Sequence, residues 1–497
     1  MTAAAYQQLE QRFAHIWALE QAQELLHWDR ETLMPSGGAS ARGEQLAALE
    51  LVVHERMTDP VLSDLLDNAE VDAPNDPWPA ANLRLMRREW RHANALGADL
   101  VEASSRAVSA AVAVWLNARP KADFQAFLPA FREVVGLTRE VAAAKAEALQ
   151  VSPYDALLNR YEDGISGDEI DRLFARLADV LPSLRDRILA HQETGAAPAL
   201  PQGPFAAGRQ RALGERLMAF AGFDTDSGRL DISAHPFTAG APGDVRITTR
   251  FDEDDFTSSV MAVMHETGHA LYEQGLPHDW RFQPVGQAAN MTVHESQSLL
   301  VEMQAARSAE FLGFIAPVMQ QELGGTGQGW DADNLHRLTI RVGPGFIRVD
   351  ADEVHYPFHI TLRTRLERAL IAGEMDPGDV PEAWNTGMAE LVGVTPPDNR
   401  LGCLQDIHWA TGLFGYFPTY SLGALAAAQL FRAACDQVPQ IKPSLAQGDF
   451  APLLIWLREK VHGQGSLLST QELLEQASGA QLGTAAFEAH LEQRYLG

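Results

Sequence analysis

Asp255-Phe-Thr-Ser-Ser-Val-Met-Ala-Val-Met-His265-Glu266-Thr-Gly-His269-Ala-Leu-Tyr-Glu-Gln-Gly275 reads as one helix with a metal-binding face. Asp255 or Thr257 suits the cap at its start, and Gly275 suits a left-handed position past its end. Side chains four apart on a helix stand one above the other, so His265 and His269 can reach one tetrahedral ion. Glu266 lies about 100° further round, too far to complete that pair but placed to hold a water at an open position. Neutral imidazole suits zinc, the ion acidifies a water, and a carboxylate beside it accepts the proton and later returns it to the leaving amine. The bland reading of the same residues is an acidic helix with two solvated histidines.

The third ligand is open from spacing. A histidine six residues after His269 would mark one zinc class, but Gly275 stands there and Tyr272 replaces the glycine that class requires. His278 follows a glycine and precedes Asp279, which makes it a weak competitor. Met291-Thr-Val-His294-Glu295-Ser-Gln-Ser-Leu-Leu-Val-Glu302 reads as a second helix. Glu295 is the favoured carboxylate there, and Glu302, about two turns on, belongs to the exposed or outer supporting face.

Outward from this core the chain is mostly helical. Leu9, Phe13, Ile16, Trp17, Leu19 and Leu25 recur at helical spacing between Tyr6 and Trp28. Pro35-Ser-Gly-Gly38 breaks the pattern, Ser40 is placed to cap the next helix, and Asp72–Pro79 reads as a loop. Ala-, Arg- and Glu-rich helical segments cover 82–118 and 124–149. Thr194–Phe205 is a Gly- and Pro-rich connection, and Val245–Phe251 alternates like a short strand whose edge could take an extended peptide. The glycines at 324–329 lack the Lys-Ser/Thr of a phosphate loop and read as a turn.

Composition narrows the partners. The formal charge of −27 over 497 residues argues against nucleic acid, whose phosphates need a basic surface. No basic start followed by an apolar run opens the chain, and no stretch approaches a membrane span, so a cytoplasmic protein is expected. The two cysteines, Cys403 and Cys435, are too few for a thiolate zinc site and read as reduced, buried thiols.

Several further motifs appear in order: His235-Pro-Phe237, Asp244-Val-Arg246-Ile-Thr248, His294-Glu-Ser-Gln297, Ile347-Arg348-Val-Asp-Ala-Asp352-Glu353 and Gly402-Cys-Leu-Gln405-Asp406-Ile-His408-Trp409. Together with the zinc helix, and with Trp28-Asp29, Met34-Pro35 and Arg42-Gly-Glu-Gln45 near the start, they resemble the carboxypeptidase Taq family of metallocarboxypeptidases over nearly the whole chain. The resemblance implies a mainly α, two-lobed fold similar to neurolysin-type peptidases, with a deep central cleft and a small β-sheet beside the zinc helix. It implies one catalytic unit over 1–497, with a helical part to about 200 and a zinc-site part from about 201. It assigns His265, His269 and Glu295 as metal ligands and Glu266 as general base and acid. It also implies release of single C-terminal residues with broad specificity, poor cleavage before proline, use of zinc or of cobalt in its place, and a homodimer as the usual state.

The remaining motif residues have physical readings. A carboxypeptidase must hold the free carboxylate of its peptide, and Arg348, then Arg246, are the candidates; the alternative for either is an internal salt bridge, to Asp352 or Asp244. Tyr420 and His408 are candidate donors to the developing oxyanion, with a buried aromatic as the alternative for each. His235 before Pro236 belongs in an extended segment near substrate or in a structural loop, and Asp406 is placed to orient His408 or a metal ligand. Two other readings stand: a zinc endopeptidase, and a helical binding protein with a structural zinc. The latter would normally be closed by four protein ligands and has no use for Glu266.

Overall fold

The architecture comes from a computed structural model that describes residues 2–71 and 75–497. Twenty α-helices and one three-stranded sheet make up most of the regular structure among these residues. The first helix, Thr2–Thr32, buries Leu9, Phe13 and Ile16 in one stripe against Leu62, Leu66, Leu83 and Met86. The segment expected to be helical from Phe124 is one helix, Phe124–Leu149, started by an Asp123 side chain that accepts from the Ala126 amide.

Helix starts depart from the sequence reading in two places. Ser40 is not a cap: a 3-10 turn, Ser36–Gly38, runs directly into the helix Ala39–Met57, which needs no side-chain acceptor. Of the expected loop Asp72–Pro79, residues 72–74 lie outside the described residues, while Pro77 opens the helix Pro77–Asn94. A proline fits there because a first-turn amide has no helical partner to lose, and Asp76 accepts from the Trp78 amide.

The expected strand is present as the last of three: β1 (Gly228–Ile232), β2 (Thr238–Ala241) and β3 (Asp244–Thr249). It is not an edge. The order is β1-β3-β2, with β1 parallel and β2 antiparallel to β3, so both sides of β3 are paired and no peptide can add there. Thr238 stands opposite Ile247 and Ala239 opposite Arg246. Side chains alternate across a sheet, so Thr238 and Ile247 share one face and Arg246 projects from the other. The sheet packs on the helix that carries His265 and His269, and β2 also meets the first helix.

The chain forms two compact units, each assembled from three stretches. One comprises Met1–Ala93, Ala197–Ile340 and Ala426–Leu482; the other comprises Asn94–Ala196, Arg341–Leu425 and Gly483–Gly497. One crossing falls at Ala196, inside the Gly/Pro-rich connection, but the units do not follow a single division near residue 200. Both cysteines are free; Cys403 is buried and Cys435 partly so. Among the described residues no helix is long and apolar enough to cross a membrane.

Candidate metal centre and arginine cluster

The helix that carries His265 and His269 spans Phe256–Gly275, and Asp255 caps it by accepting from the Thr257 amide at 2.9 Å. Gly275 is its last residue and not a left-handed cap; glycine is required because a Cβ would lie 2.6 Å from His462 Nδ1. The second helix, Met291–Leu299, continues without a break into a π-helical turn, Leu300–Ala306. The two helices approach at Gly268, where a Cβ would stand 2.5 Å from the Gln297 carbonyl oxygen and 2.6 Å from Ser298 Cα. Gly268→Ala should therefore push them apart at a cost of about 1–3 kcal/mol and weaken metal retention. Denaturant unfolding and metal content would show it, and a variant like the wild type in both would contradict this packing.

That approach gathers His265, His269 and Glu295, whose ligand atoms all lie within 4.8 Å of one another. Glu295 Oε2 is 3.4 Å from His269 Nε2 and 3.9 Å from His265 Nε2. Zinc bonds of about 2.0–2.1 Å in tetrahedral array put ligand atoms about 3.3 Å apart, so the set fits an ion with little adjustment. The other imidazole nitrogens are engaged. His265 Nδ1 meets Glu302 Oε2 at 3.0 Å, and Arg307 Nη2 donates to Glu302 Oε1 at 2.5 Å. His269 Nδ1 meets His294 Nδ1 at 2.7 Å, and His294 Nε2 meets Glu273 Oε1 at 2.8 Å. His278 lies in the exposed 3-10 turn His278–Trp280 and takes no part in the cluster.

The electrostatics ask for a cation. Burial opposes charge on His265, but Glu295, Glu302 and Glu266 outweigh it and raise its pKa to about 10. Burial, with His294 next, lowers His269 to about 4. Burial also opposes ionisation of Glu295, yet His265 and His269 hold it down at about 2. A centre that draws a proton onto one imidazole to balance its carboxylates is one that a divalent ion would satisfy. Glu266 is 6% exposed, and burial raises its pKa above the ordinary value. The Thr238 hydroxyl donates to its Oε2 at 2.7 Å from the sheet face turned toward the helix.

Arg246 is on the opposite face of that sheet. It pairs side-on with Asp244, through Nε at 2.9 Å and Nη2 at 2.7 Å, and its guanidinium lies 4.1 Å over the Trp28 ring. His235 is exposed in the bend between β1 and β2.

The second unit holds the other expected residues around Asp406. Arg348 Nε donates to Asp406 Oδ1 at 3.0 Å and Arg363 Nε donates to Asp406 Oδ2 at 2.7 Å. Arg363 is fully buried and Arg348 is 6% exposed. Gln405 accepts from Arg363 Nη2 and from the Arg348 amide, tying both to the Gly402–Trp409 segment. The salt-bridge partner of Arg348 is thus neither Asp352 nor Asp244; Asp352 meets His355 Nδ1 instead. Asp406 does not hydrogen-bond His408, whose Nδ1 is 3.9 Å away, because the arginines take both its oxygens. Burial opposes its charge, but the two guanidiniums hold Asp406 well below the usual carboxylate range. His408 Nε2 lies 3.2 Å from the Tyr420 hydroxyl, and burial lowers its pKa to about 4, so the ring is neutral. Tyr420 sits in the first turn of the helix Pro418–Gln437, and Arg348 stacks 4.7 Å over its ring.

The family model of the carboxypeptidase Taq (M32) metallopeptidases matches residues 8–495. The chain belongs to that family. It is 40% identical to thermostable carboxypeptidase 1 of Thermus thermophilus over 99% of this chain and 98% of that protein. It is 32% identical to carboxypeptidase 1 of Bacillus subtilis over 96% and 95%. Among solved structures, metallocarboxypeptidase 1 of Trypanosoma cruzi superposes with a TM-score of 0.97 at 39% identity, covering 99% of this chain and 100% of that one. The M32 carboxypeptidase of Deinococcus radiodurans gives 0.92 at 32%, covering 99% of each. The fold is that of the M32 carboxypeptidases, and the chain is a metallocarboxypeptidase, a peptide hydrolase dependent on a divalent metal.

Sequence reasoning left Arg363, Thr238, Glu273 and Arg307 without roles and quoted His294 without one. A signal for Arg363 existed: an arginine inside Phe358-His-Ile-Thr-Leu-Arg363 on a helix otherwise rich in buried residues needs a buried partner.

Proposed function

We propose that this M32 enzyme removes single residues from the free C-termini of peptides, with broad specificity and poor cleavage before proline, using zinc or cobalt held by His265, His269 and Glu295. The observation that carries the reading is the set His265, His269 and Glu295, which no fourth His, Cys, Asp or Glu joins among the described residues, with a buried carboxylate, Glu266, next to His265 on the same helix. When bound, the ion supplies Lewis acidity that brings a water's pKa near neutrality and polarises a carbonyl.

The chain's own groups supply the rest. Glu266 accepts the proton of the attacking water on its free oxygen while Thr238 holds the other, and its raised pKa suits returning that proton to the leaving amine. Tyr420 serves as donor to the oxyanion that develops on the scissile carbonyl, with neutral His408 fixing its hydroxyl. Arg348 is proposed to receive the substrate carboxylate: its Nε and Nη2 lie side-on to Asp406, and Nη1, which donates to the Tyr356 hydroxyl at 3.3 Å, is the donor that would turn to a second acid. Arg246 and His235 are the secondary candidates for substrate contact. The enzyme is proposed to act in the cytoplasm as a homodimer, without nucleic-acid or membrane partners.

Arg348→Ala should raise KM for free-acid peptides by about 10- to 100-fold, the worth of a charge-assisted contact of roughly 1.5–3 kcal/mol, while metal content stays unchanged. Steady-state kinetics with metal analysis test it, and an unchanged KM would move the carboxylate to Arg246. Digestion of mixed peptides, with and without chelator, tests the whole reading. Stepwise ladders from the C-terminus that pause before proline support it, and internal cuts would replace it with an endopeptidase.

A further inference from the structure

The two histidines of the zinc helix are supported unequally. His265 rests directly on a carboxylate, Glu302, itself neutralised by Arg307. His269 rests on a second imidazole, His294, and only through it on a carboxylate, Glu273. Glu273 and His269 are one turn apart on the zinc helix, so His294 reaches across from the second helix and grips that helix at two points.

We infer that His294 is a positioning residue locked in one tautomer by Glu273, and that the acceptor it thereby presents to His269 Nδ1 is what aims that imidazole at the metal. The inference rests on His269 being a ligand through Nε2, the nitrogen that faces Glu295 at 3.4 Å. A neutral imidazole that ligates through Nε2 carries its hydrogen on Nδ1. His269 therefore donates to His294 Nδ1, His294 carries its own hydrogen on Nε2, and that hydrogen goes to Glu273 Oε1. The direction of every hydrogen bond follows from the first. A carboxylate at the end of such a chain fixes the ring and raises the basicity of the ligand.

Two amide substitutions separate this from a merely space-filling role. His294→Asn sets an amide oxygen near the place of Nδ1 and keeps the acceptor for His269. His294→Gln sets its amide near the place of Nε2, keeping the donor to Glu273 and losing that acceptor. Competition for zinc against a chromophoric chelator, on the full-length protein, should show about a 10- to 100-fold weaker affinity for Gln. Asn should stay within a few-fold of the wild type. The visible spectrum of bound cobalt(II) gives a second readout of ligand geometry: changed in Gln, preserved in Asn. Gln and Asn variants that bind zinc alike, with cobalt spectra alike, would overturn the inference. His269→Ala is the control. If it leaves zinc affinity intact, the ligand assignment fails and the inference falls with it; if it abolishes binding while Gln and Asn agree, only the inference falls.

Discussion

Glu266→Gln should leave the metal in place and lower kcat by about 10²- to 10⁴-fold, the usual worth of a positioned acid–base group. The substitution is close to isosteric, and a glutamine carbonyl oxygen can still accept from Thr238 as Glu266 Oε2 does at 2.7 Å. What it removes is a carboxylate that can take a proton in a buried site and give it back. Because Glu266 is not in the three-ligand set, metal content measured on the purified variant should match the wild type. Loss of turnover together with loss of metal would make Glu266 part of the binding site, and near-normal turnover would remove it as the base.

Asp406→Asn should cost the fold about 3–5 kcal/mol, since removing one partner of a buried ion pair leaves uncompensated charge. Here two guanidiniums, from Arg348 and the fully buried Arg363, share that one carboxylate. The sign with pH follows from its pKa, which the two arginines depress. The carboxylate's contribution is complete above the ordinary value of about 4 and is lost as pH falls through the folded value. The gap in denaturant midpoint between wild type and variant should therefore be full at neutral pH and shrink under acid. Equal midpoints at pH 7 would show that the arginines are neutralised in another way.

The helical class was legible from periodicity, and the candidate pair His265 and His269, with Glu266 between them, from a spacing within one turn of helix. Glu295, on a neighbouring periodic segment, was favoured over its competitors but assigned only by the family resemblance, and the structure brings it beside the two histidines. What needed the fold was everything set by two segments meeting. Gly275 looked like a helix cap, but its reason is the ring of His462, nearly two hundred residues on. The strand at β3 was readable by its alternation, yet that it is central depends on two short strands with weak patterns, Gly228–Ile232 and Thr238–Ala241. Arg348 was singled out as a candidate for the substrate carboxylate, with an internal salt bridge as the alternative; its ion-pair partner, Asp406, lies 58 residues away, and no local pattern joins them. His294 stood in view beside Glu295, and only the contact with His269 gives it work.

One N-terminally acetylated peptide, prepared as the free acid and as the C-terminal amide, tests the central claim most directly. Each is incubated with the enzyme plus zinc, cobalt or chelator, and the products are read by mass spectrometry. The account predicts a metal-dependent ladder shrinking one residue at a time from the free acid and no products from the amide. Equal cleavage of both forms, or cleavage that survives the chelator, would contradict it.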